Sequence, residues 1–171
     1  MAANRSIRVK VLSEEKPSSA QIRALTEFKM QAVEHFPELR GQIYAELNKL
    51  RQGTLSDKSV GGFYSPSEKK IFIAKGLSPS GTREVVAHEL AHAMSDTPRR
   101  GFRSTTEAFN KAYREYRQTN PGATYKSFAG TISNYAKTAK SEAFSEAFVD
   151  YAIKGKKAAK ASQLIMKHWR K

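Results

Sequence analysis

The stretch Thr82-Arg83-Glu84-Val85-Val86-Ala87-His88-Glu89-Leu90-Ala91-His92-Ala93-Met94-Ser95 decides how the rest of this chain is read. Ser80 or Thr82 supplies a start signal and Pro98 lies just past the end, so the pattern predicts a helix over 82–95. Val85, Val86, Leu90 and Ala93 give that helix the apolar faces that hold it in a core. His88 and His92 stand four residues apart, one turn along a single face, where two imidazoles can chelate one metal ion. Glu89 sits about 100° round the helix from His88, beside such an ion rather than on it. From there a carboxylate can take a proton from water and hand it to a leaving group. With 4 histidines in 171 residues, chance placement produces His-Glu-x-x-His less than about 1% of the time, which favours a metal site over two surface histidines.

A catalytic zinc takes three protein ligands and keeps a fourth position for water. The chain has no cysteine, so the third ligand is a histidine or a carboxylate. His35, beside Phe36-Pro37, and His168, among Met166, Lys167 and Trp169, have no second ligand at chelating spacing. Ser141-Glu142-Ala143-Phe144-Ser145-Glu146-Ala147-Phe148-Val149-Asp150 is the better source. Glu142, Glu146 and Asp150 recur every four residues and line one helix face, next to an apolar stripe of Phe144, Phe148 and Tyr151. Two registers follow: Glu142 binds the metal and Glu146 supports a ligating histidine, or Glu146 binds and Asp150 supports.

Outward from these two segments, residues 6–12 alternate apolar and basic and predict a strand. Pro17-Ser18-Ser19 opens a helix to His35, with Ile22, Leu25, Phe28, Met30 and Val33 near helical spacing. A second helix starts at Pro37 and runs through Leu39, Ile43, Leu47 and Leu50 to a stop at Gly53. Gly61 to Ala74 reads as strand, turn, strand. Helices follow over 104–118, from a Ser141 cap to Ile153, and over 162–170, with a turn at Asn120-Pro121-Gly122 and a short helix and loop within 123–140. The sum is an α+β fold in one domain: a small twisted sheet, including 6–12, 62–64 and 70–74, packed on the helix of His88, with the helix of Glu142 closing the site.

Charge is uneven along the chain. The total is +14; residues 1–98 hold 14 basic and 11 acidic residues, a net of +3, whereas 99–171 hold 16 and 5, a net of +11. Such an excess favours nucleic acid or acidic protein surfaces, although zinc-finger, bZIP and RNP1 patterns are absent. No cysteine means no disulfide and no cysteine nucleophile. Charges break every apolar run short of the ~20 residues a membrane span needs. Met1-Ala-Ala-Asn-Arg-Ser-Ile-Arg-Val-Lys10 has no apolar h-region, so no signal peptide is expected. The expected location is cytoplasmic, or virion-associated, or reached by a carrier.

At His88–His92 and Glu142–Phe148 the chain resembles the gluzincins, zinc metallopeptidases with two His from H-E-x-x-H and a Glu from a later helix. It is similar to the catalytic domain of anthrax lethal factor and its relatives, which carry a Tyr, a short spacer and a helix of the form E-x-F-x-E-A-F. Tyr135, then 136–141, then Glu142-Ala-Phe-Ser-Glu-Ala-Phe148 is the corresponding run. The resemblance implies a zincin-like fold and a metalloendopeptidase: His88, His92 and Glu142 as zinc ligands, Glu89 as general base, Tyr135 on the oxyanion, and Glu146 in support. It thereby favours the first register. It also implies that Lys70-Ile71-Phe72-Ile73-Ala74 is the sheet edge on which an extended peptide substrate aligns. The resemblance spans roughly 60–155, the catalytic core; 1–55 forms a strand and helical N-terminal part and 156–171 a basic C-terminal helix. Similar modules occur in bacterial toxins and phage head-associated proteins. Two rival expectations follow: a delivered toxin protease, or a phage particle component that keeps the fold and contacts nucleic acid.

Overall fold

Residues 9–170 are described in the computed structural model, and the chain divides into two compact units, Met1–Ala93 and Met94–Lys171. Among the described residues there are seven α-helices and a four-stranded mixed sheet, an α+β architecture.

In the first unit, β1 (Val11–Glu14) pairs antiparallel with β2 (Arg51–Leu55). Residues 6–8 of the predicted first strand lie outside the described residues, and the observed strand begins later, at Val11. Between the strands come α1 (Ser19–His35), a 3-10 turn at Pro37–Leu39 and α2 (Arg40–Asn48). Ser18 caps α1 as the sequence predicts: its Oγ accepts from the Gln21 N–H at 3.2 Å, and Gln21 Oε1 accepts from the Ser18 N–H at 3.2 Å. The buried face of α1 is Gln21, Ala24, Phe28 and Ala32, whereas Ile22 and Met30 point outward, 53% and 67% exposed. Small alanines let the helix lie close, so the buried stripe is not the one that counting large apolar residues picks out.

The second predicted helix ends earlier than its leucine spacing suggests, at Asn48, because Arg51–Leu55 is claimed by the sheet. A Cβ at Gly53 would lie 1.8 Å from the Ser13 carbonyl oxygen, so this glycine marks a close backbone approach at the β1 bulge rather than a helix stop. Strands β3 (Gly62–Ser65) and β4 (Lys70–Ala74) form the predicted hairpin, Gly62 opposite Ile73 and Ser65 opposite Lys70.

The strand order is β1-β2-β4-β3, which corrects the expectation for Ile71, Phe72, Ile73 and Ala74. They are not an edge: β4 pairs parallel with β2 on one side and antiparallel with β3 on the other. Three consecutive apolar residues, all buried, are what a strand covered on both faces carries. The edges among the described residues are β1 and β3.

Helix α3 (Pro79–Asp96) contains the predicted 82–95 segment. It seats on the sheet through Val85, and the seat is made by two missing side chains. A Cβ at Gly61 would meet Val85 Cγ2 at 2.8 Å, and one at Gly62 would meet Val85 Cγ1 at 2.6 Å. Val86, Leu90 and Ala93 are fully buried, with Phe28, Phe36, Leu39, Ile43, Ile71 and Ile73 among the core residues of this unit.

The second unit is helical: α4 (Thr105–Thr119), α5 (Tyr125–Gly130), a 3-10 turn at Tyr135–Lys137, α6 (Lys140–Lys154) and α7 (Lys160–Trp169). Ser104 caps α4, and Thr124 with Ser127 forms a capping box for α5. For α6 the capping position is Ala139, which offers no side-chain cap, and Ser141 lies inside the first turn. Gly155, with φ of 57°, ends α6 in a conformation that favours glycine. Helix α7 packs on α4 and α6 around Trp169, whose ring meets Phe102 at 4.9 Å, Phe144 at 5.0 Å and Phe148 at 6.1 Å, all edge-on. No helix of the described chain is long and apolar enough to cross a membrane.

Candidate metal centre

His88 and His92 come together as the four-residue spacing requires. Their rings lie 4.9 Å apart, inclined at 73°, and the two Nε2 atoms are 3.2 Å from each other. At that distance one neutral imidazole can donate its Nε2–H to the other. The separation is also close to the ~3.3–3.4 Å between two ligands of a tetrahedral zinc with Zn–N of about 2.0–2.1 Å. Both rings are half-buried, and Val86, Ala87, Leu90, Ala91 and Ala93 around them on the helix are buried. The geometry and the donor chemistry both fit a borderline-soft divalent cation. Glu89 lies on the same turn, also half-buried, so its carboxylate is neither swamped by solvent nor locked in the core.

In the second unit α6 carries the three carboxylates, and its burial pattern explains their different settings. Ala143, Phe144, Ala147 and Phe148 are fully buried, which draws the flanking Glu142 and Glu146 to half-buried positions. Glu146 Oε1 accepts from Ser133 Oγ at 2.9 Å, and Ser133 Oγ in turn accepts from the Ala136 N–H at 3.1 Å. That relay ties the 3-10 turn bearing Tyr135 to α6, and Tyr135 is 51% exposed rather than packed in the core.

Comparison with family models, curated proteins and solved structures finds no match to this chain.

Asp150 has a different task. Its Oδ2 accepts from the Ala159 N–H at 2.9 Å and from Ser162 Oγ at 2.7 Å, and its Oδ1 pairs with Lys154 at 3.0 Å. The carboxylate thereby closes the amino-terminal end of α7, where bare N–H groups and the helix dipole both favour an anion. His168 is likewise engaged within its own unit, with Nε2 at 2.6 Å from Glu115 Oε2.

Ser133 is the residue that sequence reasoning passes over. Its only local sign is its position three residues before Ala136, the spacing of a hydroxyl that caps a turn; its bond to Glu146 spans thirteen residues and has no local pattern.

Proposed function

We propose that this chain is a zinc-dependent metalloendopeptidase in which His88, His92 and Glu142 hold the metal. The observation that carries the reading is the 3.2 Å approach of the two Nε2 atoms, close to a tetrahedral edge, with a glutamate on the adjacent helix position. The assignment of Glu142, and the name gluzincin, rest on the sequence resemblance. The engagement of Asp150 with α7 supports this register, because the alternative needs that carboxylate elsewhere.

Zinc, when bound, supplies Lewis acidity that acidifies a water and polarises the scissile carbonyl. The remaining work falls to side chains of this chain. Glu89 takes the proton of the attacking water and delivers it to the leaving amine. Tyr135 donates a hydrogen bond from its phenol to the developing oxyanion, a role that suits a half-exposed tyrosine on a turn held by Ser133. Glu146 orients a ligating imidazole. An extended peptide has the edges β3 and β1, not β4, available for main-chain pairing among the described strands. Setting in a phage particle, delivery as a toxin and acidic protein partners belong to the same proposal as contexts for one chemistry.

The test is zinc per chain by elemental analysis after dialysis, together with hydrolysis of fluorescein-labelled casein. Near one zinc is expected, and Glu89→Gln should keep it while losing turnover by about 10²-fold or more, the size of a lost general base. Tyr135→Phe should slow turnover at unchanged zinc. Absence of zinc even after refolding with it, or full activity in Glu89→Gln, overturns the reading.

A further inference from the structure

Helices α4 and α7 of the second unit enclose an open cleft whose lining has no apolar side chain. Arg103, Lys111, Arg114 and Lys167 line it, with Glu115 and His168 between them. The one carboxylate is already spent: Lys167 Nζ donates to its Oε1 at 2.9 Å and Oε2 at 3.2 Å, and His168 Nε2 lies 2.6 Å from Oε2. The hydrogen bonds from Lys167 and then His168 hold the Glu115 carboxyl below its ordinary range, so it stays ionised as an anchor for both. Arg103 is anchored too, donating to the His168 carbonyl at 3.0 Å and pairing with Glu107 at 3.4 Å. Lys111 and Arg114 differ. Among the described residues neither forms an ion pair with an acidic side chain, although both stand beside the fixed cations.

The cleft therefore has two cations without an acidic partner, flanked by positioned ones: four positive side chains against one carboxylate. A protein partner would need an apolar centre to exclude water, and the lining offers none. A linear polyanion needs only a row of cations open to solvent, with long-range attraction from the net charge of the segment. We propose that this cleft binds the phosphodiester backbone of a nucleic acid, without reading its bases. The lining has no Phe, Tyr or Trp on which bases could stack, and Gln118 is its one amide against four cations, which fits contact with the backbone rather than readout of bases. This site is independent of the zinc chemistry.

Fluorescence anisotropy of a labelled 20-base-pair duplex, titrated with the full chain across a series of NaCl concentrations, tests it. Binding is expected, weakening steeply with salt. Lys111→Gln/Arg114→Gln should lower affinity at least about tenfold and flatten the log–log salt slope by about 2, one unit per lost phosphate contact. Lys156→Gln/Lys157→Gln removes the same charge outside the cleft and should change both far less; circular dichroism confirms that each variant is folded. Equal loss in the two pairs would mean diffuse attraction and overturn the site. No binding by the unaltered chain would overturn it as well. Tighter direct binding of labelled polyglutamate of matched charge than of the duplex, lost in Lys111→Gln/Arg114→Gln, would assign the cleft to acidic proteins instead.

Discussion

At the scale of single residues, the proposed zinc site turns on which carboxylate of α6 is its third ligand. Glu142 and Glu146 are both half-buried on one helix face, so burial does not separate them. Glu146 accepts from Ser133, which holds the turn of Tyr135, and in the proposed assignment Glu142 is the ligand and Glu146 the support. Glu142→Gln should therefore cost zinc outright, while Glu146→Gln should lower zinc affinity by about 10–100-fold, the usual effect of a lost supporting contact. Competition with a colorimetric chelator measures both, and the reverse order would move the third ligand to Glu146. Glu115 gives a second prediction from charge alone. Its carboxyl is held below its ordinary value by Lys167 and His168, so in the folded chain it ionises more readily than in the unfolded one. The stability it adds is present above its unfolded pKa, about 4.3, and is lost as pH falls through the lower folded value. Glu115→Gln should thus flatten the acid side of a stability-against-pH curve below about pH 5 and leave its shape near neutrality unchanged. An unchanged acid limb would show that these contacts are too well screened to matter.

At the scale of elements, the two glycines under Val85 decide whether α3, and with it the histidine pair, sits correctly on the sheet. A Cβ at Gly61 would strike only Val85 Cγ2 closely, at 2.8 Å, whereas one at Gly62 would also lie 2.7 Å from the Phe72 carbonyl oxygen. Each alanine substitution should cost about 1–3 kcal/mol through overpacking. Adding Val85→Ala should recover most of the loss at Gly61 and little at Gly62, because a backbone oxygen in a paired strand has no room to move. Denaturant melts of the four variants measure this, and equal rescue would refute the seat. The same elements show why the sequence is legible only in part. Helix α3 announces itself through apolar faces and histidine spacing, both local. It starts at Pro79, however, ahead of the Ser80 and Thr82 expected to cap it, and Ser78 Oγ accepts from the Gly81 N–H instead. The strand β2 does not, because Leu47 and Leu50 continue a helical period and only pairing with β1 and β4 turns Arg51–Leu55 into sheet. The interior place of β4 was written in Ile71-Phe72-Ile73, apolar on both faces, yet whether a strand has neighbours is settled by distant chain. In the candidate site the same division holds: the histidine pair follows from spacing four, whereas the Ser133–Glu146 bond joins elements that no local pattern links.

At the scale of the molecule, metal binding and charge act on stability in opposite ways and can be told apart. A zinc held by the native chain and not by the unfolded one stabilises it by about 2.7 kcal/mol when free zinc is a hundredfold above the dissociation constant. For a chain of 171 residues, about 1 kcal/mol corresponds to 2–4 °C in Tm, so a chelator should lower the melting temperature by about 5–10 °C and added zinc should restore it. His92→Ala should melt at the lower temperature and respond to neither reagent. Ionic strength must be matched throughout, because a net charge of +14 repels itself and salt alone raises Tm by screening. That screening gives the control its meaning: sodium chloride should raise the melting temperature of the original chain and of His92→Ala alike, while zinc should raise only the first. A chelator effect of equal size in both proteins would place the bound metal somewhere other than the histidine pair.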